Sequence, residues 1–92
     1  MTPDVTCDRV ADGWSCDVAI REGDRMVSSH RVTVATAELA WLDPGATAPH
    51  DLVRRSFEFL LQREPPGSIL RSFDLMEIAR YFPDFETDIR RR

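Results

Sequence analysis

Residues 50–83, HDLVRRSFEFLLQREPPGSILRSFDLMEIARYFP, hold four of the five phenylalanines and the longest helical apolar rhythm of the chain. Leu52, Val53, Phe57, Leu60 and Leu61 recur at spacings that place them on one side of a 3.6-residue helix. Phe59 widens that stripe, so the helix should touch neighbours on more than one side. Pro49 suits a first helical turn, with Thr47 or Ala48 near the cap, and Glu64-Pro65-Pro66-Gly67 ends the element; the expected span is 49–63. Ser68 can cap a short turn through Ile69, Leu70 and Phe73. Asp74 with Glu77 three residues on resembles a capping box. Leu75, Ile78, Ala79 and Phe82 then supply an apolar face, so 69–82 reads as helical. Pro83 interrupts, and Phe85 and Ile89 mark a last amphipathic helix over 84–91. A cofactor site would need polar groups converging among these aromatics, and the pattern shows none.

The motifs Ser56-Phe57-Glu58-Phe59-Leu60-Leu61, Arg63-Glu64-Pro65, Ser68-Ile69-Leu70, Phe73-Asp74-Leu75 and Arg80-Tyr81-Phe82-Pro83 resemble those of a group of small uncharacterised bacterial proteins. The resemblance covers roughly the last two-fifths of the chain, with the front half similar only in outline. It implies one domain with a strand-rich front, and it carries no activity, cofactor or site residue.

Ahead of this stretch the period changes to two. Trp14, Cys16, Val18 and Ile20 alternate with Ser15, Asp17, Ala19 and Arg21, giving a half-buried strand. Residues 4–9 read as a frayed strand before it, and 25–34 as a third, with Met26, Ser28, His30, Val32 and Val34 on its even side. A plain two-residue Gly23-Asp24 turn would put Arg31 on the buried face. An odd-length loop or a bulge keeps the apolar sides together, and the loop version pairs Ile20 with Met26 and Trp14 with Val32. Thr36 is a plausible cap for a short helix over 37–42 carrying Leu39, Ala40 and Trp41, and DPGATA (43–48) is an ordinary loop. The expected fold class is therefore α+β: a three-stranded antiparallel meander within residues 4–34, packed against about three short C-terminal helices, in one domain spanning 1–92.

That register places Cys16 opposite His30, and a four-residue first loop places Cys7 opposite Cys16. Two thiols and an imidazole in one row suit zinc, with His50 or water as a fourth ligand. The spacing matches no recognised zinc pattern, and buried cysteines are common small core residues. The same register suits a cross-strand disulfide, which a cytoplasmic setting disfavours.

Charge and composition narrow the function classes. Residues 1–49 hold four arginines against eight acidic groups, and residues 50–92 hold eight against eight, with no lysine anywhere. That balance is a poor match to a polyanion-binding surface. Arg54, Arg55, Arg63, Arg71, Arg80 and Arg90–Arg92 nevertheless make a small nucleic-acid-binding regulator the alternative reading. No Gly-rich phosphate loop is present; Cys16 with His30 is the one Cys–His pair that the register brings together, and it lacks an evident oxyanion hole, while His50 falls on a different side of its helix from Ser56. Asp84, Glu86 and Asp88 alternate on a solvated helix, a weak basis for carboxylate chemistry. No catalytic, cofactor or metal residue is assigned, and no enzymatic activity is expected. No run of 18 apolar residues and no secretory signal pattern occur, so a cytoplasmic setting without membrane contact is expected. The expected role is a protein-interaction or self-association module, binding another protein or a second copy through aromatics that the helices leave uncovered.

Overall fold

A computed structural model describes residues 1–90; of the basic end, Arg91 and Arg92 lie outside the described residues. Strands β1 (Thr2–Val10), β2 (Gly13–Glu22) and β3 (Arg25–Ala35) form the expected antiparallel meander. Helices α1 (Thr36–Leu42) and α2 (His50–Leu61) follow, then a 3₁₀ turn at Pro66–Ser68. A fourth strand, β4 (Ser72–Asp74), precedes the short helices α3 (Glu77–Tyr81) and α4 (Phe85–Arg90). The sheet order is β1-β2-β3-β4, with β4 parallel to β3.

β4 corrects two expectations. The sheet has four strands rather than three, and residues 69–82 are not one helix. The free edge of β3 offers backbone groups that a passing segment can satisfy: Arg31 N–H donates to the Arg71 carbonyl at 2.7 Å, and Leu75 N–H to the Thr33 carbonyl at 2.9 Å. A helical turn cannot make those bonds, so the segment extends. Asp74 accordingly ends a strand instead of capping a helix. Its Oδ1 accepts from Thr33 Oγ1 at 3.1 Å and its Oδ2 from Met76 N–H at 3.3 Å, while Glu77 bonds Arg80.

The first hairpin has the expected register, with Cys7 facing Cys16, but Val10 pairs with Gly13, so it closes on the two residues Ala11-Asp12 rather than on four, and its first strand is longer than predicted. The second closes on the two-residue Gly23-Asp24 turn, for which Gly23 takes φ of 62°. Pairing then skips Val27, so Arg21 faces Met26 but Ile20 faces Ser28. The parity device is therefore the bulge, not the odd loop. It moves the pairing two residues beyond the expected register, so that Trp14 faces Val34 rather than Val32. A shift of two preserves the face, and Trp14, Cys16, Val18, Ile20, His30, Val32 and Val34 are all buried. Met26 lies beyond the bulge and is exposed, not on the inner row.

α2 lies between this inner sheet face and the C-terminal helices. Leu52, Val53, Phe57, Phe59 and Leu60 are buried, and the Phe59 ring meets Phe85 at 5.3 Å and Phe82 at 5.9 Å between centroids. Phe57 instead meets Phe73 of β4 at 6.0 Å. One apolar cluster thus runs from Trp14 to Ile89. Pro49, not Thr47 or Ala48, occupies the cap of α2, and no side-chain cap bond forms there. α1 is capped from within: Glu38 Oε1 accepts the Ala35 N–H at 2.7 Å, while Thr36 donates both N–H and Oγ1 to the Asp12 carbonyl.

The opposite sheet face is polar. Asp4 pairs with Arg21 at 2.7 Å and Asp17 with Arg31 at 3.0 Å across neighbouring strands. The solvent-accessible surface is 5450 Å². A folded monomer of this mass should expose about 5400 Å². The inner-row side chains from Trp14 to Val34 are buried, so the apolar sheet face is covered. Among the described residues, no helix is long and apolar enough to cross a membrane.

Candidate functional site

Residues 66–74 are the part of the chain with chemistry on both flanks. Held along β3, this segment separates an apolar notch from a more polar cleft. The notch, of about 40 Å³, lies between the segment and α3, lined by Leu60, Ile69, Phe73, Ile78 and Phe82. Leu70 and Tyr81 stand at its rim, 49% and 65% exposed, and Glu77 supplies its single charge. The cleft lies on the β3 bulge side, has a volume of about 260 Å³, and is lined by Ser28, His30, Gly67, Ile69 and Arg71 among others.

His30 is 3% exposed, and both ring nitrogens are partnered. Nδ1 lies 2.8 Å from the Leu70 carbonyl oxygen, and Nε2 lies 2.8 Å from Ser28 Oγ. A carbonyl can only accept, so Nδ1 carries the proton; in the neutral ring Nε2 then accepts from the serine hydroxyl. The Phe57 ring, 5.4 Å away between centroids, backs the imidazole.

The Cys7, Cys16 and His30 row expected for zinc is not assembled. The two-residue register shift sets His30 opposite Val18 and Cys16 opposite Val32. Cys7 and Cys16 are joined as a disulfide with Cα atoms 4.0 Å apart, which removes both thiolates as ligands. His50 begins α2 and lies by Pro3, Asp4 and Arg54 instead. Among the described residues no group of three or more His, Cys, Asp or Glu is placed to hold a metal ion.

Among the described residues, four of the six arginines that suggested nucleic acid are paired with carboxylates. Arg54 bonds Asp51 and Glu58, Arg63 bonds Asp84 at 3.1 Å, and Arg80 bonds Glu77 at 3.1 Å. Arg55 is buried and bonds the more exposed Asp43 and Asp51, and the guanidinium groups of Arg54 first and Arg55 second hold the Asp51 carboxyl below its usual range. Arg90 stacks on Trp41 at 4.0 Å, and Arg9 on Trp14 at 4.6 Å. Among the described residues Arg25 and Arg71 alone have neither a carboxylate nor a ring partner. Trp41, expected as a helix-face apolar residue, is half-exposed and bonds Glu86 through its indole N–H at 2.8 Å.

A second polar cluster joins α1 to β4. Glu38 is pushed up to about 7, by burial first and by the neighbouring Asp74 carboxylate second. Two carboxyl groups so placed share a proton more readily than they ionise together.

Sequence reasoning missed the Ser28–His30 pair because it assigned His30 to Cys16. Its signal was present: Ser28 and His30 are two apart on the inner side of a strand, and a bulge after Gly23-Asp24 was one of the two registers considered. No family model, curated protein or solved structure matches the chain.

Proposed function

We propose that this chain is a small protein-interaction module that takes an aliphatic side chain of a partner protein into the notch between residues 69–73 and α3. The observation that carries the reading is an apolar concavity with Leu70 and Tyr81 both exposed at its rim. Its volume of about 40 Å³ corresponds to roughly three water-sized spheres, or one branched aliphatic side chain. The nucleic-acid alternative draws no support from arginines already paired with carboxylates. The bacterial kinship suggested by the C-terminal motifs and a cytoplasmic setting belong to the same proposal. In that setting Cys7 and Cys16 would stand as thiols, whereas an oxidising compartment would keep their bond.

A photo-crosslinking amino acid at position 81, compared with one at position 29 on the polar sheet face, tests the reading in native cells. A discrete protein adduct at 81 and none at 29 is expected, and Leu70→Asp should weaken it at least tenfold. Equal adducts at both positions, or none at either, would sink the proposal.

A further inference from the structure

The cleft beside the β3 bulge suggests a chemical activity beyond the interaction reading and independent of it. Ser28 Oγ and His30 Nε2 are 2.8 Å apart, and His30 Nδ1 is held by the Leu70 carbonyl at 2.8 Å. Those contacts are a nucleophile, a base and a group that fixes the base's tautomer, within the 2.6–3.2 Å such an arrangement requires. Each part has a structural cause. The bulge at Val27 sets Ser28 and His30 on the inner face, where both line the cleft, with Ser28 half-buried and His30 3% exposed. The bond from Arg31 N–H to the Arg71 carbonyl holds residues 70–71 against β3, which keeps the Leu70 carbonyl aimed at the ring. Phe57 packs against the imidazole with ring centroids 5.4 Å apart. Ser28 is half-buried and lines the cleft. Arg71 lines the same cleft with no carboxylate partner among the described residues, so its guanidinium is free to face an anion.

We infer that Ser28 and His30 form an acyl-transfer centre for small carboxylic esters. Ser28 Oγ attacks the ester carbonyl carbon while His30 Nε2 takes the hydroxyl proton. The carbonyl oxygen becomes an oxyanion, and Arg71 supplies the positive charge that stabilises it. The intermediate collapses by breaking the bond to the alcohol oxygen, which leaves with the proton from His30. Water, deprotonated by His30, then attacks the Ser28 ester; the acid departs and Ser28 regains its proton. Ester and water give acid and alcohol, and no further reactant is needed. A cleft of about 260 Å³ limits the acyl group to a short chain, with Ile69 and Val27 as its apolar wall.

The test uses the full chain, a fluorophosphonate probe and 4-nitrophenyl acetate. Intact-mass measurement should show one equivalent of probe bound with time, and peptide mapping should place it on Ser28. Ser28→Ala, which keeps the side-chain volume nearly constant, should abolish labelling and esterase turnover while leaving the circular dichroism spectrum unchanged. Arg71→Gln should slow acylation at least tenfold in a folded protein. His30→Gln should slow it at least a hundredfold, the range expected for loss of a general base. If the buried imidazole destabilises on replacement, the Ser28 and Arg71 variants still decide the matter. Absence of label from a folded wild-type chain, or label and turnover that persist in Ser28→Ala, would overturn the inference and leave Ser28 and His30 as a strut between β3 and residues 66–71.

Discussion

Arg55 Nη2 lies 3.0 Å from Asp43 Oδ2, joining the middle of α2 to the residue that ends α1. The same guanidinium donates through Nε to Asp51 at 2.9 Å and through Nη1 to the Ile89 carbonyl at 3.1 Å. An arginine only 9% exposed in its side chain thereby ties three helices together, in the region where the apolar rhythm of α2 is interrupted.

Arg55→Met should therefore cost about 2–4 kcal/mol, below the worst cases for a broken buried pair, because Asp43 and Asp51 can regain water. Asp43→Asn should cost less, about 1–2 kcal/mol. Urea unfolding followed by tryptophan fluorescence measures both. A loss below 0.5 kcal/mol for Arg55→Met would mean the network is incidental.

Reducing the Cys7–Cys16 bond frees a loop with a sequence separation of 9. The chain-entropy relation assigns about 2.5–3 kcal/mol to closing such a loop. Unfolding midpoints with and without reductant should differ accordingly. The alanine double variant should match the reduced wild type apart from the small cavity left by the fully buried Cys16.

Gly13 is a second point of no tolerance. A Cβ there would overlap the Val34 carbonyl oxygen and lie 2.8 Å from Ala35 Cα, both rigid backbone of the neighbouring strand. Gly13→Ala should destabilise by about 2–4 kcal/mol, while Gly67→Ala, which meets nothing within 4 Å, should not. Equal thermal stability of the two variants would refute the close approach.

The Glu38 carboxyl binds its proton more tightly in the folded state, at about 7 against a usual 4.5. Linkage then gives a falling slope: the contribution is complete below pH 4.5, declines as pH rises, and is lost above about 7. Because the group is partly exposed, solvent screening reduces the effect to about 1 kcal/mol. Glu38→Gln keeps the acceptor for the Ala35 N–H and should remove this contribution, lessening the fall in stability between pH 5 and pH 8. Asp51 has the opposite sign. Its carboxyl is held below the usual 3.8, so its share is present above that value and lost as pH falls further.

The α+β class, the meander, the inner row from Trp14 to Val34 and the helices at 50–61 and 85–90 could all be read from residue periodicity. These features are local, repeating every two or 3.6 residues along the chain. β4 could not be read, since Ser72–Asp74 extends only because β3's edge offers it partners from forty residues away. Nor could the row of Cys7, Cys16 and His30 be excluded. Periodicity specifies a face but not a register, and a shift of two residues leaves every face intact while changing every neighbour. That shift decided that Cys16 meets Val32, and that the imidazole of His30 meets Ser28 and the Leu70 carbonyl. Sidedness was determined by the sequence alone, because burial selects it residue by residue; adjacency was decided by the tertiary structure, because it depends on backbone hydrogen bonds that distant segments complete for one another.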